Sequence, residues 1–444
     1  MDLQVGSMTE GSLPKKIMLF SVPLIFSNVL QVLFNMADVA VVGRFAGPNS
    51  LGAVGSTSIL VTLFTGFLIG MGNGVNVLTA RFYGAKRRKD VKETVHTSFV
   101  VCIAIGILIL ILGVLFSRKL LELLNTKDEL IGGAALYLKI YFLGIPAMAV
   151  YNFGSGVLSA VGDTKRPLYY LLTAGIINVI LNLFFVIVCR LDVAGVAIST
   201  IISQYISAVL IIRALFKSEE NYGLRLSDMK VSKVKMSALL SLGLPAGLQY
   251  AIFAIANLFI QASVNSFDAT VVSGNAAAAN SDGLVYDVMS AFYIACSSFI
   301  SQNYGAGKKR RILKSYFICL AYSFGAGAIL GGLLLLFGRQ FLSFFTADKA
   351  VQDSGMMRLQ IMGFSYAVSA FMDSAIAAAR GLGKSLMPTI IVIMGSCVFR
   401  IVWIYTIFAH YHTITSLYLL YIFSWAVTAV AAIAYFAWCY RRQR

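Results

Sequence analysis

The sequence predicts an all-α polytopic membrane protein, with twelve transmembrane helices in two pseudo-symmetric six-helix bundles. Three observations carry this expectation. Of 444 residues, 59% are hydrophobic and only 12% charged, with a mean hydropathy of +0.81. Soluble domains run near a quarter charged, so this chain cannot cover a water-facing surface of its size. Apolar runs of the ~20 residues needed to cross the hydrocarbon recur along the whole chain. Finally, the second half repeats the first.

The runs fall at about 17–42, 51–79, 94–116, 131–157, 168–189, 193–215, 237–264, 271–300, 315–337, 355–378, 387–408 and 414–438. They are continuous rather than alternating, which specifies helices and rules out a barrel. The domain organisation expected from them is an amino-terminal tail over 1–16, a lobe over 17–215, a linker over 216–236, a second lobe over 237–438 and a tail over 439–444. No cleavable signal sequence is expected, because the first apolar run is too long and no small-residue cleavage site follows it. The six cysteines lie in or at the ends of apolar runs without a CxxC pair, and they read as small core residues.

A net charge of +17 invites a nucleic-acid reading, which the distribution does not support. With the amino terminus inside, 26 of the 36 basic residues fall in cytoplasmic segments, from Lys15 through Arg444. Nine fall outside, Arg358 among them, and Arg400 lies within a span. This excess predicts a multi-pass protein of the cell membrane with both termini cytoplasmic.

The halves align at three places. Asn35 stands twelve residues after Pro23, and Asn257 twelve after Pro245. ARFYGAKRR ends the second span and SQNYGAGKKRR the eighth, pairing Tyr83 with Tyr304. LSAVGDTKRP and AAARGLGKSLMP then pair Gly162 with Gly381 and Lys165 with Lys384. The offsets of 222, 221 and 219 mark an internal repeat. Six spans per unit keep the two units in the same orientation, as in parallel-repeat transporters. The charged segment 216–236 suits a flexible cytoplasmic tether, with room for a short surface helix.

Inside the spans four acids remain: Asp38, Asp282, Asp287 and Asp373. Ionisable groups at that depth face the bundle interior and mark ion or substrate pathways. Asp38 has no basic partner in the first bundle but a high density of small polar residues, Asn28, Asn35, Asn178, Asn182 and Thr200. Asn178 and Asn182, spaced i and i+4, share a helix face. A lone carboxylate there can take up a proton, or join amide and hydroxyl oxygens in a shell for Na⁺. Both make it a cation-coupling site; the competing role is helix glue to Asn35 or Asn178. Asp373, Asp282 and Arg400 form the second polar cluster, either contacting substrate or pairing to fix helix packing.

Other features are weaker. GMGNG at 70–74 lies inside an apolar helix with no preceding strand, so it reads as close helix packing rather than a phosphate loop. HYH at 410–412 reads as solvated loop histidines, with no metal site expected. No nucleophilic triad can be assembled, so the chain does not read as an enzyme.

The stretches PLIFSNVLQVLFNMADVAVVGRFAGPNSLGAVG, ARFYGAKRR and SAVGDTKRP resemble the multidrug and toxic compound extrusion (MATE) family, from Leu19 to Trp438. The resemblance implies an antiporter that expels organic cations or amphipathic drug-like compounds against an inward H⁺ or Na⁺ gradient. It implies no cofactor beyond that ion, a lipid bilayer as surroundings, no nucleic-acid partner and a monomer. It gives Asp38 the role of coupling acid, with Asn178 and Thr200 matching the family's amino-terminal cluster. Two positions depart: Asn182 stands where many relatives carry an aspartate, and Phe253 where some carry a glutamate. A flippase for a lipid-linked sugar, as in related families, is the alternative; it would need a cleft rich in bases.

Overall fold

The computed structural model describes residues 7–443, so Arg444, counted among the cytoplasmic bases, and residues 1–6 of the first tail lie outside the described residues. It is all-helical, with no strand among the described residues. In order, the helices are α1 (Leu13–Val41), α2 (Gly47–Gly84), α3 (Arg88–Leu123), α4 (Asp128–Leu143), α5 (Ile145–Ala160), α6 (Lys165–Leu183), α7 (Asp192–Phe216), α8 (Lys233–Val264), α9 (Ala269–Gly305), α10 (Lys309–Ser343) and α11 (Lys349–Gly381). A span Leu386–Tyr411, here α12, and α13 (Ile414–Arg441) complete the set. Among the described residues eleven helices are long and apolar enough to cross a membrane, and the bent pair α4–α5, counted as one span, makes twelve. That pair was expected as one run; it bends by 46° at Gly144–Ile145–Pro146. Pro146 has no N–H to give the preceding turn, which is the usual cause of such a break.

Helix ends follow local chemistry. Asp268 caps α9 by accepting from Val271 N at 2.9 Å, and Asp348 caps α11 by accepting from Ala350 N at 2.8 Å. Chain reversals use left-handed residues at matched repeat positions, Lys86 with Gly307 and Gly162 with Gly383. Both pairs are 221 residues apart, as are Pro167 and Pro388. The structure thus amends the third repeat pairing: the counterpart of Gly162 is Gly383, because that position needs the positive φ. Gly381 is the last residue of α11, where a Cβ would approach the Ser297 carbonyl oxygen to 2.8 Å.

The chain forms two compact units. One holds Phe26–Gly247; the other holds Met8–Ile25 and Leu248 onward. Each division falls inside a helix, two residues after Pro23 in α1 and two after Pro245 in α8. The expected lobes, divided at loops, therefore exchange helix segments. A proline removes one rung of the helix ladder, so each helix changes company where its own hydrogen bonding is weakest.

Within the first unit, GMGNG serves helix packing. A Cβ on Gly74 would lie 2.9 Å from Gly243 N, one on Gly72 2.9 Å from Asn152 O, and one on Gly70 would collide with the backbone of Gly247. Small residues let backbones touch in this way. Gly70→Val is expected to cost about 1–3 kcal/mol as an overpacked contact, seen as a lowered melting temperature of the detergent-purified protein.

The segment expected to be a flexible tether is fastened down. Leu224 is 1% exposed and, with Tyr222, belongs to the hydrophobic core of the first unit. His96, buried in α3, accepts from Arg225 N at Nε2 (3.0 Å) and donates from Nδ1 to Lys92 O (2.7 Å). Thr97 Oγ1 accepts from Ser232 N at 3.1 Å, and Lys92 pairs with Asp228 at 2.6 Å. Asp90 takes both Lys235 and Arg87, the latter at 2.7 Å. Two charges of the segment, Asp228 and Lys235, thus have fixed partners on α3.

Partial burial disfavours the Asp90 anion, but Lys235 and Arg87 outweigh it and hold the carboxyl below its ordinary range. A depressed folded-state pKa stabilises the fastening above the unfolded value near 4 and loses that contribution as pH falls through the folded one. Trypsin cleavage after Arg225 and Lys230 is therefore expected to stay slow in neutral wild-type protein. His96→Ala, which strands a backbone donor at a cost of about 1–3 kcal/mol, is expected to accelerate it.

In the second unit an amino-terminal stretch is held in a similar manner. Met8, fully buried, donates from its backbone N to Gln302 Oε1 at 3.1 Å. Arg311 donates to the carbonyls of Gly11 (3.0 Å) and Met8 (3.2 Å), and Lys308 to that of Thr9 (3.0 Å).

Candidate functional site

Two polar clusters stand out, one in each unit. In the first, α1 presents Asp38 to α6. Asn182 donates from Nδ2 to Asp38 Oδ1, and that amide also lies 3.3 Å from Asn178 Oδ1. Both asparagines are buried, while Asp38 is half-buried. Thr200 of α7 lies near the same carboxyl, and its hydroxyl donates to the Val196 carbonyl at 2.9 Å. Asn35, one turn earlier on α1, is exposed and gives Asp38 no hydrogen bond.

Local sequence explains the approach. Gly175 lies seven residues before Asn182, on the same face of α6, and its missing side chain leaves the space occupied by the Phe34 ring. Phe34 lies four residues before Asp38, so the glycine seats α1 against α6 at the correct depth. Just beyond the pair both helices widen into π-turns, Val42–Ala46 after Asp38 and Phe184–Val188 after Asn182. Such wide turns occur at functional sites and give a helix slack.

One atom in the cluster has no partner. Asn182 Oδ1 is buried and accepts nothing, beside a carboxylate that is itself an acceptor. This oxygen is a buried polar atom without a hydrogen-bond partner among the described residues, on the side chain whose nitrogen faces Asp38 and Asn178.

The second unit divides what the sequence grouped together. Asp282 on α9 pairs not with Arg400 but with Arg358 of α11, a residue counted among the outer bases from sequence. Arg358 is 3% exposed and also donates to Asn275 Oδ1 at 2.7 Å. The Tyr366 hydroxyl donates to Asp282 Oδ1 at 2.5 Å, and Tyr418 and Tyr421 face the guanidinium, each 5.3 Å away. Arg400 instead lies over Tyr421 at 4.7 Å and Phe253 at 5.8 Å, donating to Ser424 Oγ at 3.1 Å. Its helix is π-wound on both sides, at Ile393–Val398 and Ile404–Phe408. Asp373 lies two turns further along α11 than Tyr366, within electrostatic reach of Arg380, Tyr250, Tyr286 and Tyr293. Arg380 in turn donates to Gln249 Oε1 at 2.7 Å.

Sequence reasoning thus missed Arg358, Tyr366 and Asn275. The signal was available: Arg358 stands inside the apolar window 355–378, where a base should have been read as intramembrane. The loop histidines hold aromatic contacts, His412 lying 5.5 Å from Phe267 and 5.0 Å from Phe408 between ring centres.

Comparison with known proteins agrees with this architecture. The MatE family profile matches residues 23–184 and again 245–406, two stretches of equal length that begin at the paired prolines. The chain is 30% identical to the probable multidrug resistance protein YpnP of Bacillus subtilis over 359 residues, 81% of this chain and 80% of that one. It is 24% identical to the probable multidrug resistance protein NorM of Thermotoga maritima, covering 85% of this chain and 82% of that one. In fold it superposes on a MOP superfamily transporter from Pyrococcus furiosus with a TM-score of 0.92 at 22% identity, covering 99% and 98% of the two chains. A twice-matched profile and a relative aligned over four fifths of both chains leave one assignment, and the chain is a multi-pass membrane transporter, not an enzyme, of the multidrug and toxic compound extrusion (MATE) family.

Proposed function

We propose that this transporter is a secondary active antiporter of the cell membrane that exports cationic or amphipathic compounds in exchange for H⁺ or Na⁺, working as a monomer with both termini in the cytoplasm. The observation that supports it best is the unpartnered Asn182 carbonyl oxygen beside Asp38. With Asp38 ionised, the amide nitrogen donates to it; with Asp38 protonated, the acid becomes a donor and a turned amide offers it that oxygen. The amide group can turn in place without moving the helix. One side chain therefore serves both charge states, which a coupling site needs and a static helix contact does not. A Na⁺ ion would use the same oxygens. The excess of bases in the cytoplasmic segments supports the orientation.

The test is dye efflux from proteoliposomes driven separately by a pH gradient and a Na⁺ gradient. Efflux that one gradient drives, and that the matching ionophore abolishes, is the expected result. Efflux indifferent to both gradients would sink the antiport reading.

A second reading, export of an anionic or phosphorylated compound, is favoured by one observation. The interior of the second unit carries Arg358, Arg380 and Arg400 against Asp282, Asp287 and Asp373, so it is not a simple cation pocket. A similar chain of Shewanella oneidensis, 24% identical over 335 residues, carries the name FAD transporter. Competition of dye efflux by a flavin nucleotide, but not by a neutral sugar, would favour this reading.

A further inference from the structure

The cytoplasmic end of the second unit carries a groove that neither polar cluster uses. It runs between α10 and α13, with a cavity volume of about 430 Å³, within the range of ligand sites. Leu313, Phe317 and Leu320 form one wall and Ile433, Ala437 and Tyr440 the other. Its lining is almost wholly apolar, and the Phe317 side chain is 56% exposed. Leu313 to Leu320 and Ile433 to Tyr440 each span seven residues, so the groove is about 10 Å deep. That is most of one leaflet of a bilayer core ~30 Å thick.

The mouth is strongly basic. Arg441 lines it, and Lys309, Arg310, Lys314 and Arg442 are exposed at the same ends of α10 and α13. Among the described residues none of these five forms an ion pair. Two stand over aromatic rings, Lys309 Nζ at 5.3 Å from the Tyr440 ring that lines the groove and Arg442 Cζ at 4.2 Å from the Trp438 ring, and Lys309 also donates to the Gln443 carbonyl at 2.6 Å. An apolar slot about 10 Å deep, opening near unneutralised cations, matches an amphiphile with a hydrocarbon tail and an anionic head.

We propose that this groove is a binding site for one acyl chain of an anionic phospholipid of the cytoplasmic leaflet, with Lys309, Arg441 and Arg442 on its phosphate. Basic pockets between helices on this side suit acidic lipid headgroups. Free phosphate would use only the rim and leave the slot empty. The placement in the cytoplasmic leaflet rests on the orientation proposed above, whereas lipid selectivity does not, so the two can fail separately.

The experiment is native mass spectrometry of delipidated full-length protein in detergent, titrated with dioleoylphosphatidylglycerol or dioleoylphosphatidylcholine. The first phosphatidylglycerol is expected to bind about tenfold more tightly than phosphatidylcholine. The triple variant K309Q/R441Q/R442Q should erase that preference. A control triple, K86Q/R88Q/K89Q, removes three cytoplasmic bases from the first unit and should keep it. Ala437→Trp fills the slot without changing charge and should also weaken the first adduct. The proposal is overturned if the two triples lose the preference equally, if wild type binds the two lipids alike, or if Ala437→Trp binds as wild type does.

Discussion

Replacing Arg358 with alanine is expected to cost the second unit most of its stability. The guanidinium is buried against Asp282, Asn275 and two tyrosine rings, and removing it leaves the half-buried Asp282 carboxylate with the Tyr366 hydroxyl as its hydrogen-bond donor. Breaking one side of a buried pair costs about 3–5 kcal/mol, whereas replacing both by apolar groups of similar volume is often neutral. Against a typical margin of 5–15 kcal/mol, Arg358→Ala should give little monodisperse protein on size exclusion. The double variant Asp282→Leu/Arg358→Met should restore most of the yield. If the pair only holds helices together, that double variant also transports; if it contacts substrate, the protein folds and does not transport.

Asp38→Asn is expected to behave in the opposite manner, with stability kept and transport lost. Asparagine has the shape of aspartate and can still accept the Asn182 amide proton, so the folded protein should lie within about 1 kcal/mol of wild type. What it cannot do is gain and lose a charge. Gradient-driven efflux from proteoliposomes should therefore fall to the leak rate of protein-free vesicles. Efflux at the wild-type rate would make Asp38 helix glue and remove the coupling role from the whole cluster. Gly175 supplies a related check on geometry: Gly175→Val would push against the Phe34 ring and shift α1 along α6, so transport should fall although every polar residue is present.

Much of this was legible in the residues. The twelve spans follow from hydropathy, since the hydrocarbon admits only helices and closed barrels and the continuous apolar runs select helices. The Asp38 cluster was legible because an aspartate, two asparagines one turn apart and a threonine are costly in apolar runs. The second cluster was misread for a geometric reason. At 33 residues α11 is about 50 Å long, well beyond the ~30 Å hydrocarbon thickness, so a base nine residues inside it looks like a boundary charge. The fastening of 217–236 was hidden because composition reports solubility, whereas its order comes from partners more than a hundred residues away, His96 with Arg225 and Asp90 with Lys235. The π-turns beside Asp38 and Asn182 left no sequence signal, because they are read from backbone winding and not from residue type.

The division of α1 and α8 at their prolines bears on ancestry. Since Met8–Ile25 completes the second unit while the chain through Gly247 completes the first, neither repeat closes its own core. A single-repeat ancestor with the same division would have been a swapped homodimer, each copy lending the start of its first helix to the other. Gene fusion would then have made permanent an exchange that already existed. Two fragments produced from a cut at Ser218–Asn221 should accordingly recover the folded transporter only when made in the same cell, each being insoluble alone.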